Sequence, residues 1–329
     1  MRGAVEHERR YPADRERPAC DHAGMRIGLG GGGPTIERII EQAAQAEAAG
    51  FATLWYPSAV LGDPLAPIAV AGRATSSIEL GTGVVQTYNA HPLLTAARTA
   101  SAAAVMGRPG LVLGMGPSHD RAVEGMYGLS YAHVGRHTEE YTRIVVDALR
   151  GSDVNVDGDD FQVHVSAPPA APFPVPVLLG ALAPRMLRVA GEIADGTITW
   201  MANREALETH VVPRIRAAAA AAGRPEPRVV VGLPVAVHDD LDEARNDAAR
   251  QYGFYSELPN YARILRIGGL ERSADACVVG DEDSVAAQLT ALVDAGATDV
   301  WAAIFPVGAD RKASRARTRA LLEQLVHED

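Results

Sequence analysis

From Met25 onward the chain repeats one grammar: a short apolar run, a turn, an Ala-rich amphipathic stretch, a glycine, and another apolar run. Short apolar runs bounded by turn residues read as buried strands, and apolar positions at three- and four-residue spacing read as helices. The pattern predicts strands near 25–30, 51–56, 78–85, 110–115, 175–179, 195–200, 228–237 and 298–304, with helices between them. In the first helix Pro34 is expected at N1, Ile36, Ile39, Ile40, Ala43 and Ala44 share one face, and Gly50 supplies the left-handed position after the last turn. The same ending recurs at Gly296, where LVDAGATDVWAAIF turns from helix to strand. Eight β-α repeats predict an α/β fold of the TIM-barrel type, (β/α)8, with residues 25–329 as a single domain.

Two connections exceed ordinary loops. Residues 116–174 contain a helical pattern at about 134–150 and then a hairpin, VNV and FQVHV around Asp157-Gly158-Asp159. Residues 252–280 form the second insertion. In a barrel, long insertions after strands sit over the C-terminal face, so both are candidate lids or substrate walls. The rival architecture is an open doubly wound sheet, suggested by the GxGxxG match at Gly28, Gly30 and Gly33. The second strand argues against it, because it closes on Trp55, Tyr56 and Pro57 where a dinucleotide fold places a ribose-binding acid.

Composition narrows the class of partner. The chain has 329 residues, is 47% hydrophobic and 22% charged, and contains no run of the roughly 18 apolar residues that a spanning helix needs. A net charge of -10 disfavours nucleic acid and anionic membrane surfaces, which want a basic face, and favours a small-molecule substrate. Cys20 and Cys277 are too few for a disulfide scaffold and lack zinc spacing, which fits a reducing, cytoplasmic setting. Residues 1–24 mix Arg, acids, Pro and Gly without an apolar segment and read as a disordered tail. His133 and His137 have metal-ligand spacing, but no Glu follows His133 and no third ligand suggests itself, so no metal is expected. GxSxG, Walker and CxxC patterns are missing from the sequence.

Five segments carry a resemblance: GTGVV at 81–85, Asn89-Ala90-His91-Pro92, LGMGPSH at 113–119, VLLGALAPRMLRVAGEIADGTITWM at 177–201 and DAGATDVWA at 294–302. Together they resemble the luciferase-like superfamily, in its branch of oxidoreductases that use the deazaflavin coenzyme F420. The resemblance runs from Met25 to about residue 305. It implies a non-prolyl cis peptide at Gly83-Val84, forming a bulge behind the deazaflavin ring. It implies a phosphate site at Gly180-Ala181, before Pro184 and Arg185, with Thr199 beside it; the physical demand is the same, since free N–H groups at a helix start bind anions. It also implies a homodimer. The same fold admits a second reading, an FMN-dependent monooxygenase, and a third, a barrel that binds a cofactor without catalysis.

The residues add their own possibilities. Gly114 and Gly116 would let a ring lie against the backbone, and Pro117 and Ser118 lead the chain under it. His119 is then the titratable group nearest the reacting centre, able to relay the proton that accompanies a hydride, or else it caps the next helix. His91, before Pro92, is either a second proton carrier or a helix cap. Tyr88 and Asn89 stand past a strand end and could meet the cofactor's polar edge or the substrate. Trp55, Tyr56 and Trp200 close strands, and form either an apolar substrate wall or rim packing. Arg185 could add a charge-assisted contact to the phosphate or lie solvated on its helix.

Overall fold

A computed structural model describes residues 25–58, 62–168 and 170–328. The segment 1–24, expected to be a tail, lies outside the described residues. The sheet is built from β1 (Ile27–Gly30), β2 (Thr53–Tyr56), β3 (Glu79–Thr82), β4 (Leu111–Gly116), β5 (Val177–Leu179), β6 (Gly196–Trp200), β7 (Arg228–Val237) and β8 (Asp299–Ile304). Neighbours in this order pair in parallel, and β8 pairs with both β7 and β1, so the sheet closes on itself. This is a (β/α)8 barrel. The rival open sheet is excluded by the closure.

Local signals hold up well. The helix Val134–Arg150 and strand β7 have the limits that the apolar pattern predicts. Gly50 and Gly296 take φ of 82° and 100° two residues past the ends of their helices, the conformation that a side chain disfavours. Two details differ. Thr35, not Pro34, opens the first helix: its hydroxyl accepts from the Arg38 N–H, so Pro34 precedes the cap instead of occupying N1. The third strand stops at Thr82, and after a cis peptide at Gly83-Val84 the chain resumes as the extended pair Val85–Gln86 alongside β4.

Strand alternation creates two cores. In β2, Leu54 and Tyr56 face the helices, whereas Trp55 faces the barrel interior and joins Val112, Leu178, Ile198 and Val230, with Val84 and Trp301 packed against them. Glycines make room for these large rings: a Cβ on Gly81 would lie 2.4 Å from the Trp55 ring, and one on Gly28 would lie 2.9 Å from its Nε1. Gly28 is therefore a packing residue of the barrel. The GxGxxG pattern has no phosphate to explain here.

The N-terminal end of the barrel is closed by ions. Arg228 donates to both oxygens of Asp299 (2.9 and 2.6 Å) and to Glu79 (2.7 Å), while Arg26 donates to Asp299 (3.0 Å) and Glu79 (2.9 Å). Burial alone would raise the Asp299 carboxyl, but the Arg228 and Arg26 guanidinium groups hold it below the usual carboxylate range. Nearby, burial likewise opposes ionisation of Glu47, yet the N–H groups of Ser77, Ile78 and Ser76 donate to it and bring it to about 2.

The two insertions behave differently. The hairpin of the first, Val154–Asp157 with Gln162–Val165, is tied at its turn to the helix Val134–Arg150 through Glu140, which accepts from the N–H groups of Asp159, Asp160 and Phe161. It forms no wall of the cavity described below. The second contributes the helix Pro259–Ile267 and a short strand, Val278–Gly280, that extends the sheet beside the end of β7.

Candidate active site

The C-terminal ends of the strands surround a cavity of about 350 Å³. Its rim follows the order of the barrel. Pro57 comes from the end of β2, Gly83 and Val84 from β3, and Gly116 to His119 from β4. The chain after β5 supplies Gly180 to Ala183 and Met186, β6 supplies Ile198 to Trp200, β8 supplies Trp301, and the second insertion supplies Tyr255, Asn260 and Tyr261.

One side is almost bare backbone. A Cβ on Gly116 would come within 3.3 Å of Val84, and one on Gly180 would meet nothing nearer than the Met115 carbonyl at 3.6 Å. The cavity thus has a flat bed across β3, β4 and β5. Gly114 lies one layer below. A Cβ there would sit 2.0 Å from the Thr82 carbonyl oxygen, so the glycine is required by the approach of β3 to β4. Past β4, Ser118 has a left-handed φ of 64°, and the Tyr131 hydroxyl donates to its carbonyl at 2.9 Å. These fix the turn that presents His119.

His119 occupies the position before the short helix Asp120–Gly125, but its ring caps nothing and lines the cavity instead, 5.5 Å from the Tyr261 ring. Burial lowers its basicity, which Asp120 offsets only in part. Burial also raises the Tyr255 and Tyr261 phenols. All three side chains are therefore uncharged near neutral pH. Ala183 precedes the helix Pro184–Glu192, with Pro184 exposed at N1, and no side chain caps this helix start. Thr199 lies at the same end of the cavity, and its hydroxyl donates to the Val230 carbonyl at 3.3 Å.

Of the residues singled out in the sequence, the fold gathers Gly83, Val84, Gly116, Pro117, Ser118, His119, Gly180, Ala181, Thr199 and Trp200 around one space. Others lie elsewhere. Trp55 is sealed in the barrel interior and Tyr56 faces the helix layer, both fully buried. His91 is exposed and its Nδ1 accepts from the Leu93 N–H, capping the helix Pro92–Met106; Asn89 beside it is exposed as well. Tyr88 stacks on His137 with ring centres 3.9 Å apart. Arg185 is ion-paired with Glu139 at 3.0 Å, on the flank of its helix away from the cavity lining. His133 stands before the helix Val134–Arg150 with a left-handed φ, while His137 is taken up by that stack.

Several lining residues were given no role by the sequence. Trp301 lies in the DAGATDVWA segment that carries part of the resemblance, and nothing local says that it points inward. Leu182, Ala183 and Met186 belong to the ALAPRML block. Tyr255, Asn260 and Tyr261 lie in the insertion already suspected as a wall, where a density of Tyr and Phe was the available signal.

The chain belongs to the luciferase-like monooxygenase family, which matches residues 20–299. It is 30% identical over 217 residues to the 5,10-methylenetetrahydromethanopterin reductase of Methanolobus tindarius, an alignment that spans 66% of each chain. Among solved structures it is similar to the coenzyme F420-dependent tetrahydromethanopterin reductase of Methanopyrus kandleri, with a TM-score of 0.71 and 23% identity, covering 93% of this chain and 99% of that one. A further neighbour is the oxygenating constituent of 3,6-diketocamphane monooxygenase from Pseudomonas putida in complex with FMN (TM-score 0.68, 18% identity, 92% and 98% coverage). At these identities the structural likeness establishes the fold. Among the described residues no helix is long and apolar enough to cross a membrane.

Proposed function

We propose that this protein is an F420-dependent oxidoreductase that passes hydride between the deazaflavin and a small organic substrate, acting as a reductase of an activated C=C or C=N bond. The observation that carries the reading is the bare bed formed by Gly83, Val84, Gly116 and Gly180, roofed by aromatic side chains, with an uncapped helix start at one end. Its fit to a flat ring with an anionic tail is physical: Gly83, Gly116 and Gly180 bring backbone to the cavity surface with only Val84 and Trp301 packed against them, and the following helix start has no side-chain cap where a phosphate would end. Trp301 Nε1 is buried without a partner beside the same space. When bound, the deazaflavin supplies or takes the hydride at its C5 carbon.

The chain's own residues have the remaining tasks. Gly83, Val84 and Gly116 support the ring, and Gly180 and Ala181 with the following helix start hold the phosphate. Trp200 and Trp301 exclude water. His119, whose basicity burial lowers, relays the proton that must accompany the hydride, taking one from solvent on one ring nitrogen as the other gives one up.

The FMN-dependent monooxygenase reading is favoured by the FMN-containing neighbour, and direct titration separates the two. F420 is expected to bind at least roughly tenfold tighter than FMN, a difference of about 1.4 kcal/mol, followed by quenching of cofactor fluorescence. Tighter FMN binding, with oxygen uptake when FMN is reduced, sinks the F420 reading. A carrier without catalysis would bind the cofactor but turn over no substrate, and His119→Ala would leave that binding unchanged.

The same reading makes the chain a homodimer. Leu94 and Val105 are eleven residues apart on one helix, hence on one face, and are 45% and 52% exposed. Sedimentation is expected to give about twice the monomer mass of 34.7 kDa. A clean monomer removes the idea.

A further inference from the structure

The cavity lining contains no Asp, Glu, Lys or Arg among the described residues. Two guanidinium groups belong to the flanking helices outside it. Arg185 pairs with Glu139, and Arg263, one turn along the helix Pro259–Ile267 from Asn260, donates to Asn260 Oδ1 at 2.7 Å while its Nε is buried without a partner. That second bond has a consequence for the cavity. A guanidinium can only donate, so the Asn260 oxygen must face Arg263, and what Asn260 has left to offer is its amide N–H₂. Tyr261 stands next to it in sequence, with its phenol kept protonated by burial and its ring beside His119. This wall therefore offers donors, and no charge.

Its shape is equally restrictive. Tyr255 meets Tyr261 edge to face at 4.9 Å and Trp200 at 5.9 Å, and Trp200 lies 5.1 Å from Trp301. Trp301 reaches down to Gly83, where a Cβ would meet its ring at 3.0 Å, and the other rings line the same cavity as Gly116 and Gly180. Aromatic side chains and bare glycine backbone around one space suit a flat molecule. A carboxylate or phosphate on such a molecule would be desolvated with no charged side chain in the lining to pair with directly, which costs more than the stacking returns.

Building on the hydride-transfer reading, we propose that the substrate is an uncharged, planar molecule whose reducible double bond is conjugated to a carbonyl, with the carbonyl oxygen accepting from Asn260 and Tyr261. The balance is simple. Hydride adds to the carbon β to the carbonyl, and a proton taken from solvent and passed on by His119 adds to the α carbon, so C=C becomes CH–CH while the reduced deazaflavin, the named reductant, is oxidised. Donors at the carbonyl stabilise the negative charge that gathers on its oxygen as the hydride arrives.

Three probes of one shape test the recognition without turnover: acetophenone, its alkene isostere α-methylstyrene, and benzoate. Their binding to the protein is measured by saturation-transfer NMR, first to the protein as purified and then with F420 added. Acetophenone is expected to bind at least roughly tenfold tighter than benzoate and about fivefold tighter than α-methylstyrene. In Asn260→Leu and, separately, in the more conservative Tyr261→Phe, acetophenone should fall toward α-methylstyrene, whose own affinity stays the same; thermal unfolding of each variant checks that it folds. Benzoate binding as well as acetophenone overturns the proposal. So does equal binding of ketone and alkene in the unaltered protein, retention of the difference in both variants, or failure of all three probes to bind. If F420 itself does not bind, the hydride-transfer reading falls, while the ranking of probes in the purified protein still decides how the cavity recognises its ligand.

Discussion

Replacing Gly180 by Val is expected to weaken F420 binding by roughly 10- to 100-fold, the loss of one charge-assisted hydrogen bond of about 1.5–3 kcal/mol. Gly180 lies at the cavity edge with its φ outside the left-handed region, and a Cβ there reaches only ordinary contacts of 3.6 Å and beyond. A branched side chain can therefore be accommodated by the fold, and its added methyl groups stand between a phosphate and the backbone of the Gly180–Ala183 segment. The control is a deazaflavin ring without its phosphate tail, whose affinity should change by less than about threefold because its contacts fall on β3 and β4. Equal loss for both ligands means that the barrel is damaged, which a thermal melt will show. No loss for either means that Gly180 is only a turn residue and that the phosphate lies elsewhere.

The second large effect is on stability. Asp299→Ala removes the buried carboxylate and leaves two part-buried guanidinium groups, Arg26 and Arg228, sharing the single carboxylate of Glu79, which costs about 3 kcal/mol, the low end for breaking a buried ion pair. Urea denaturation at pH 7 measures it. The pH dependence follows from the direction of the shift. Asp299 is held below its unfolded value of about 3.9, so its contribution is fully present above that pH and disappears as the pH falls through the lower folded value. Unaltered protein and variant should therefore differ by the full amount at pH 7, begin to approach each other below about pH 4, and converge only once the pH has passed below the folded value. A difference under 1 kcal/mol at pH 7 would show that the network is mostly solvated and that the barrel floor is held by packing.

These two sites were unequally visible in the sequence. Gly180 was legible because its neighbourhood is local: a strand end, a glycine, and a helix opening at Pro184 lie within five residues. The ion network was invisible, since Arg26 and Asp299 are 273 residues apart and meet only because β1 and β8 pair when the barrel closes. His119 and Trp55 show the same divide. Both were placed correctly at strand ends, but whether each side chain enters the cavity depends on where its strand stops relative to the rim. Trp55 lies one layer too deep. His119, three residues past β4, reaches the cavity because the turn at Ser118, braced by Tyr131, aims it there.

By itself, the sequence determined the order of the barrel's elements and, within a few residues, their limits, since apolar periodicity, capping residues and glycines past helix ends act over a few residues and carry their signal wherever the chain goes. Only the tertiary structure decided which strand-end side chains share a space, that Arg185 turns to Glu139 while Arg263 orients Asn260, and that Tyr255, Tyr261 and Trp301 complete the wall. Those outcomes depend on closure, register and the seating of an insertion. Each is a long-range packing equilibrium, and no local pattern of residues contains it.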